Sequence, residues 1–169
     1  MNSYVVGSKV VHPCYGAGVI TRIQEKSIGQ ATSTYYVIKT ACRSMQVMVP
    51  VDRADSVGLR GVGEPSRLRS MLALCAHAPR DHEIEKDLRT RQNDMREQLK
   101  SGQFADAVAV ARILFFLNHR RPLGTIDRQL LEQGKDLLAG ELALAEDIDF
   151  GRARQEIESL LLQMVTRGE

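Results

Sequence analysis

No tryptophan occurs in this chain, and its four tyrosines and four phenylalanines make up only 5% of it. An indole that stacks on a ligand or anchors an interface is therefore excluded. Cysteine is almost as rare. Cys14, Cys42 and Cys75 stand far apart, no Cys-x-x-Cys pair exists, and an odd count closes no disulfide framework. Reduced, packed thiols and a cytoplasmic location are the expectation. No apolar run reaches the length of about 18 residues that a membrane span needs. No basic segment followed by an apolar stretch marks a signal peptide. The histidines His12, His77, His82 and His119 are scattered, without a second ligand at metal spacing. A nucleophile motif is missing, and so is the Gly-x-x-x-x-Gly-Lys-Ser/Thr loop of a nucleotide motor. No catalytic residue, metal or cofactor is expected, and the chain reads as a non-enzyme.

A strong net charge is lacking too, since 23 basic against 21 acidic side chains leave +2 over 169 residues. The distribution says more than the sum. Residues 1–60 hold seven basic and three acidic side chains, whereas residues 132–169 hold four and nine. A basic N-terminal part and an acidic tail point to different partners at the two ends.

What is present divides the chain. Residues 8–50 read as strands: Val19, Thr21 and Ile23 alternate with Ile20, Arg22 and Gln24. Residues 34–39 and 45–49 repeat that character with β-branched and aromatic enrichment. Gly7, Pro13, Gly16, Gly18 and Gly29 punctuate them. A small, curved antiparallel sheet or open barrel follows. Beyond Asp52 the pattern becomes helical. Glu64-Pro65 opens a helix, with Met71, Leu72 and Cys75 at helical spacing. Residues 76–83, containing Pro79, read as a polar linker. Four further helices are expected at about 83–100, 103–118, 125–146 and 149–166, with Gly102 as a stop, Thr125 and Asp149 as caps, and short connections suited to a bundle. The fold class is thus α+β. Its expected parts are a β domain at 1–62, a helix and linker at 63–82 and an α-helical domain at 83–169.

Two N-terminal stretches carry a resemblance. Val6-Gly7-Ser8-Lys9-Val10-Val11-His12-Pro13-Cys14-Tyr15-Gly16-Ala17-Gly18-Val19-Ile20 is one. The other runs from Tyr35-Tyr36-Val37-Ile38 through Met45-Gln46-Val47-Met48-Val49-Pro50-Val51 to Val57-Gly58-Leu59-Arg60. Together they resemble the RNA polymerase-interacting domain of the CarD family of bacterial transcription factors, a domain shared with the transcription-repair coupling factor. Leu99-Lys100-Ser101-Gly102, Val108-Ala109-Val110-Ala111-Arg112 and Gly140-Glu141-Leu142-Ala143-Leu144-Ala145-Glu146 resemble the helical C-terminal domain of the same family. The resemblance implies a Tudor-like β domain that binds the polymerase β subunit. It also implies a helical domain that touches promoter DNA at the minor groove of the upstream fork, largely independently of sequence. Stabilisation of the open complex is the implied result, by a protein expected to be monomeric.

On that footing Lys26, Arg43, Met45, Gln46, Val47 and Met48 are the candidate polymerase contacts. Lys26, with Arg22, Lys39, Arg43 and Arg53, could face an acidic protein. An edge strand at 45–49 could extend a partner's sheet, with Met45 and Met48 looking outward and Val47 and Val49 inward. Lys86, Leu88, Arg89, Arg91 and Arg96 are the candidate DNA contacts. The basic ones share a predicted helix with Lys100, yet acids are interleaved, so an ion-paired surface is the competing reading. Leu88 stands where the family typically has a tryptophan wedge. Leucine can wedge at a base step but has no π face to stack. The alternative function is therefore a polymerase-binding adaptor or divergent paralogue without productive DNA contact.

Overall fold

The computed structural model describes residues 2–167 and divides them between a sheet and a layer of helices. Five antiparallel strands, β1 (Lys9–His12), β2 (Gly16–Ile28), β3 (Ala31–Thr40), β4 (Gln46–Pro50) and β5 (Arg60–Gly61), lie in the order β4-β3-β2-β1-β5. Five helices follow: α1 (Pro65–Leu72), α2 (Leu88–Lys100), α3 (Phe104–Arg120), α4 (Thr125–Glu146) and α5 (Phe150–Thr166). This is the α+β arrangement that the two periodicities require. Among the described residues, no helix is long and apolar enough to cross a membrane.

The alternation along β2 does not run through. Ile20 pairs with Ile38 but Arg22 pairs with Val37, so Thr21 is an extra residue, a bulge. A bulge turns the following side chains to the other face. Ile23, opposite Tyr36, thereby joins the face of Ile20, opposite Ile38; Ile20 is buried there, while Ile23 is still 44% exposed. The sheet closes over its own small core of Val10, Ile20, Tyr36, Ile38, Val49, Ala54 and Leu59. Gly18 has to be glycine, because a Cβ there would lie 2.6 Å from both Ile38 Cγ2 and the Lys39 carbonyl oxygen.

The larger core belongs to the helices, and α1 is part of it. Leu68, Leu72 and Cys75 are packed with Leu114, Leu138, Leu142, Ile157 and Leu161. Each such leucine or isoleucine contributes about 1.5–3 kcal/mol when fully buried. Burial pushes the Cys75 thiol up to about 11, so it stays protonated at neutral pH.

The segment read as a polar linker is instead tied down. Pro79 is buried, and Arg112 of α3 donates to the carbonyls of His77 and Ala78 and to Glu83. The expected helix start near residue 83 is also displaced. Asp81–Glu83 form a 3-10 turn, and α2 begins only at Leu88, where Asp87 accepts from the Thr90 amide. Asp149 caps α5 as expected, but Thr125 does not cap α4: Gly124 takes that position without a side-chain bond.

Helix α1 is held to α4 and α5 by Arg69, which bonds both Glu146 oxygens at 2.7 and 2.6 Å and reaches Glu156 at 2.6 Å. The Arg69 guanidinium holds the Glu146 carboxyl below the ordinary glutamate range. A depressed folded-state value stabilises above the unfolded value, about 4.3, and that stability is lost as pH falls through the folded value. Glu146→Gln should therefore melt lower than the parent at pH 7, with the gap narrowing below about pH 4.3. Thermal melts across pH 3–7 check this, and a gap that stays constant with pH would contradict it.

Candidate polymerase and nucleic-acid interfaces

Strand β4 ends the sheet, and no strand pairs with its outer side among the described residues. The Thr40 amide donates to the Met45 carbonyl at 2.9 Å, and Ile38 stands opposite Val47. In an antiparallel ladder alternate residues turn their backbone groups to the neighbour. Val47 therefore spends its backbone on β3, while Gln46 and Met48 turn theirs outward. Along the strand Gln46 and Met48 are exposed, and Met45 lies in the turn before it. Met45 and Met48 are each 39% exposed, whereas Val47 packs on the sheet core. The expectation for Met45 and Met48 matches this placement. Val47, also expected among the contacts, is half-buried with its side chain against the sheet core.

The exposed cations of this module lack carboxylate partners among the described residues. Lys26 and Arg43 are exposed, as are Arg22, Lys39 and Arg53. Among the described residues none of the five pairs with a carboxylate; Arg22 bonds only Gln24, at 3.2 Å. Lys26 sits toward the far end of the β2–β3 hairpin, opposite Ser33, and Arg43 in the turn before β4. They thus flank the open edge rather than form one cluster with it.

On the helical module Leu88 is the first residue of α2 and is 54% exposed. Arg89 and Arg96 are exposed on the same helix, and Arg96 touches only Asn93. Lys86 lies before the cap rather than on the helix, within 3.1 Å of Asp81, both largely exposed. Such a pair is worth little and can be exchanged for another anion.

Arg91, expected with them, differs in being held in a largely buried ion pair. Its Nη2 meets Asp127 at 2.8 Å, where the two side chains are 13% and 5% exposed. Gln92 donates to the other Asp127 oxygen at 3.1 Å. Arg91 thus fastens the start of α2 to the start of α4. The helical wheel could not show this, because the partner lies 36 residues away.

The residues that join the two modules were not anticipated. Arg60 of β5 donates Nη1 and Nη2 to the Glu141 carboxylate at 2.7 and 2.8 Å, and Nε and Nη2 to the Gly102 carbonyl at 3.0 and 2.7 Å. Glu141 also accepts from the Gly63 amide at 3.0 Å. Lys9 reaches Asp147 at 2.6 Å and the Leu144 carbonyl at 2.8 Å. One sequence signal existed: Glu141 sits between Leu138 and Leu142 on the apolar stripe of α4, where an unpaired carboxylate would be costly.

These features define a small protein of two joined modules, with an open strand edge on one and an apolar, cation-flanked helix end on the other. Residues 4–63 match the CarD-like/TRCF RID domain, and residues 76–158 match the CarD C-terminal domain. The chain belongs to the CarD family, a family of transcription regulators whose RID module is its polymerase-interacting part. It is 26% identical over 145 residues, 86% of this chain and 94% of the relative, to the protein named "Putative transcription factor YdeB" from Bacillus subtilis (strain 168).

The buried Arg91–Asp127 pair makes a direct stability prediction. Removing one partner strands the other in a water-poor site, and the residual exposure of Arg91 discounts the cost. Arg91→Ala should lose about 2–3 kcal/mol in urea denaturation. A loss under about 0.5 kcal/mol would return Arg91 to the set of merely solvated charges.

Proposed function

We propose that this chain binds the RNA polymerase β subunit through the β4 edge and touches promoter DNA at the upstream fork through the start of α2, stabilising the open complex. Backbone groups of Gln46 and Met48 would extend a strand of the partner, and Met45 and Met48 would supply adaptable side-chain contact. The unpaired cations Lys26 and Arg43 suit an acidic protein surface. Leu88 would enter a base step already unstacked at the fork, and Arg89, Arg96 and Lys86 would lie along phosphates. No bond is made or broken; binding energy is supplied to one state of an equilibrium.

The observation that carries this reading is the exposure of Leu88, 54% at the first turn of a helix flanked by cations. A core leucine would not be left there. A second reading is favoured by the sequestered Arg91 and the missing indole: an adaptor that holds polymerase without productive DNA contact.

Open-complex lifetime and polymerase affinity separate the two. Leu88→Ala should shorten the lifetime about five- to tenfold, the worth of burying the exposed half of one leucine, while leaving stability within about 0.5 kcal/mol. Leu88→Trp should lengthen it, since an indole adds stacking area. Met48→Lys should weaken polymerase binding about tenfold and leave the intrinsic DNA contact alone. A lifetime indifferent to Leu88, with polymerase binding intact, would establish the adaptor.

A further inference from the structure

We propose that Arg60 is the positioning residue that sets the direction of α2 against the sheet, so that the β4 edge and the Leu88 end of α2 are presented as one rigid body. Its functional consequence rests on the reading above; its structural content does not.

Arg60 stands on β5, the sheet edge opposite β4. Its guanidinium grips α4 and the turn after α2 together, through Glu141 and the Gly102 carbonyl. A planar fork with five donors can hold two acceptors at fixed angles; a lysine ammonium cannot. Glu141 is 4% exposed at its side chain, so the carboxylate cannot turn to water if the fork moves. Lys9–Asp147 also crosses between the modules, but Asp147 is 82% exposed and the pair touches only the end of α4. It cannot direct α2.

Gly102 completes the joint. It follows α2 with φ +72°, and a Cβ there would come within 3.0 Å of the Pro13 Cα. The turn after α2 therefore rests directly on the loop between β1 and β2, with Arg60 clamping its carbonyl from the other side. Because Arg91 fastens the start of α2 to α4, the helical module turns as one body about this joint, with α2 as its lever. Thirteen residues at about 1.5 Å each make it about 20 Å long, so a tilt of about 10° at Gly102 moves Leu88 by about 3.5 Å. That is one base step, about 3.4 Å. Loosening the clamp would leave each surface intact and put them in the wrong relation.

The test uses the full-length chain, with amide residual dipolar couplings measured in one alignment medium. Sheet and helix amides of the parent should fit a single alignment tensor. Arg60→Lys keeps the charge but not the fork, and Glu141→Gln keeps the shape but not the charge. In both variants the two modules should keep their internal couplings and require two different tensors. Polymerase affinity should stay within twofold, and open-complex lifetime should fall at least threefold. A single shared tensor in both variants overturns the proposal, as does an altered orientation with an unchanged lifetime. If Arg60→Gln, the harsher change, fails to fold, these two milder variants decide. Should the parent itself give no gain in lifetime, the functional reading fails, while the tensors still decide whether Arg60 sets the orientation.

Discussion

A carboxylate buried between two modules is the constraint from which the rest of this structure follows. Glu141 has given up water and receives in exchange two guanidinium bonds from Arg60 and one amide bond from Gly63. Such a pair adds little net stability compared with well-packed apolar residues. What it adds is direction, because a carboxylate with three donors has one orientation of its surroundings that satisfies it. The apolar contacts around it permit close approach without specifying an angle. Helix α4 faces the sheet with Gly140 toward Ala17 and Ala41, and Leu137 covers Gly16. Packing holds the helices against the sheet, and the polar clamp fixes how.

Charge is used differently in the two modules. On the sheet the exposed cations lack carboxylate partners among the described residues. In the helical module many cations are spent on architecture. Arg69 ties α1 to α4 and α5, Arg91 ties α2 to α4, and Arg112 ties the 77–83 segment to α3. Arg154 is likewise engaged with Glu132 and Asp136. A near-neutral total thus hides a surface ready for an acidic partner and an interior network that is not. Of the helical cations left exposed, Lys86 and Arg89 adjoin Leu88, and Arg96 stands about two turns further along α2.

Much of this was legible from local pattern. The α+β division, the bounds of α4 and the capping role of Asp149 follow from periodicity and one side-chain bond. The outward Met48 follows from alternation on a strand that carries no bulge, while Met45 is exposed in the turn before it. What was not legible depends on partners distant in sequence. The bulge at Thr21 answers to the register of β3, and a single strand does not display its neighbour's register. The 76–83 segment is polar, yet Arg112 fixes it from about thirty residues away. Arg91 and Arg89 look alike on a helical wheel; only the position of Asp127 separates a buried tie from a free cation. Arg60 and Glu141 stood inside the stretches that carry the family resemblance, but their pairing across 81 residues has no local signature.

The central claim is that two surfaces of one rigid body engage protein and DNA at once. Photo-crosslinking tests it most directly. A crosslinking amino acid is placed at position 48 in one preparation and at position 88 in another, each in a complete promoter open complex. The account predicts that position 48 joins the polymerase β subunit and that position 88 joins DNA at the upstream edge of the bubble. Crosslinks from position 88 to protein alone, with position 48 still joined to β, would contradict it.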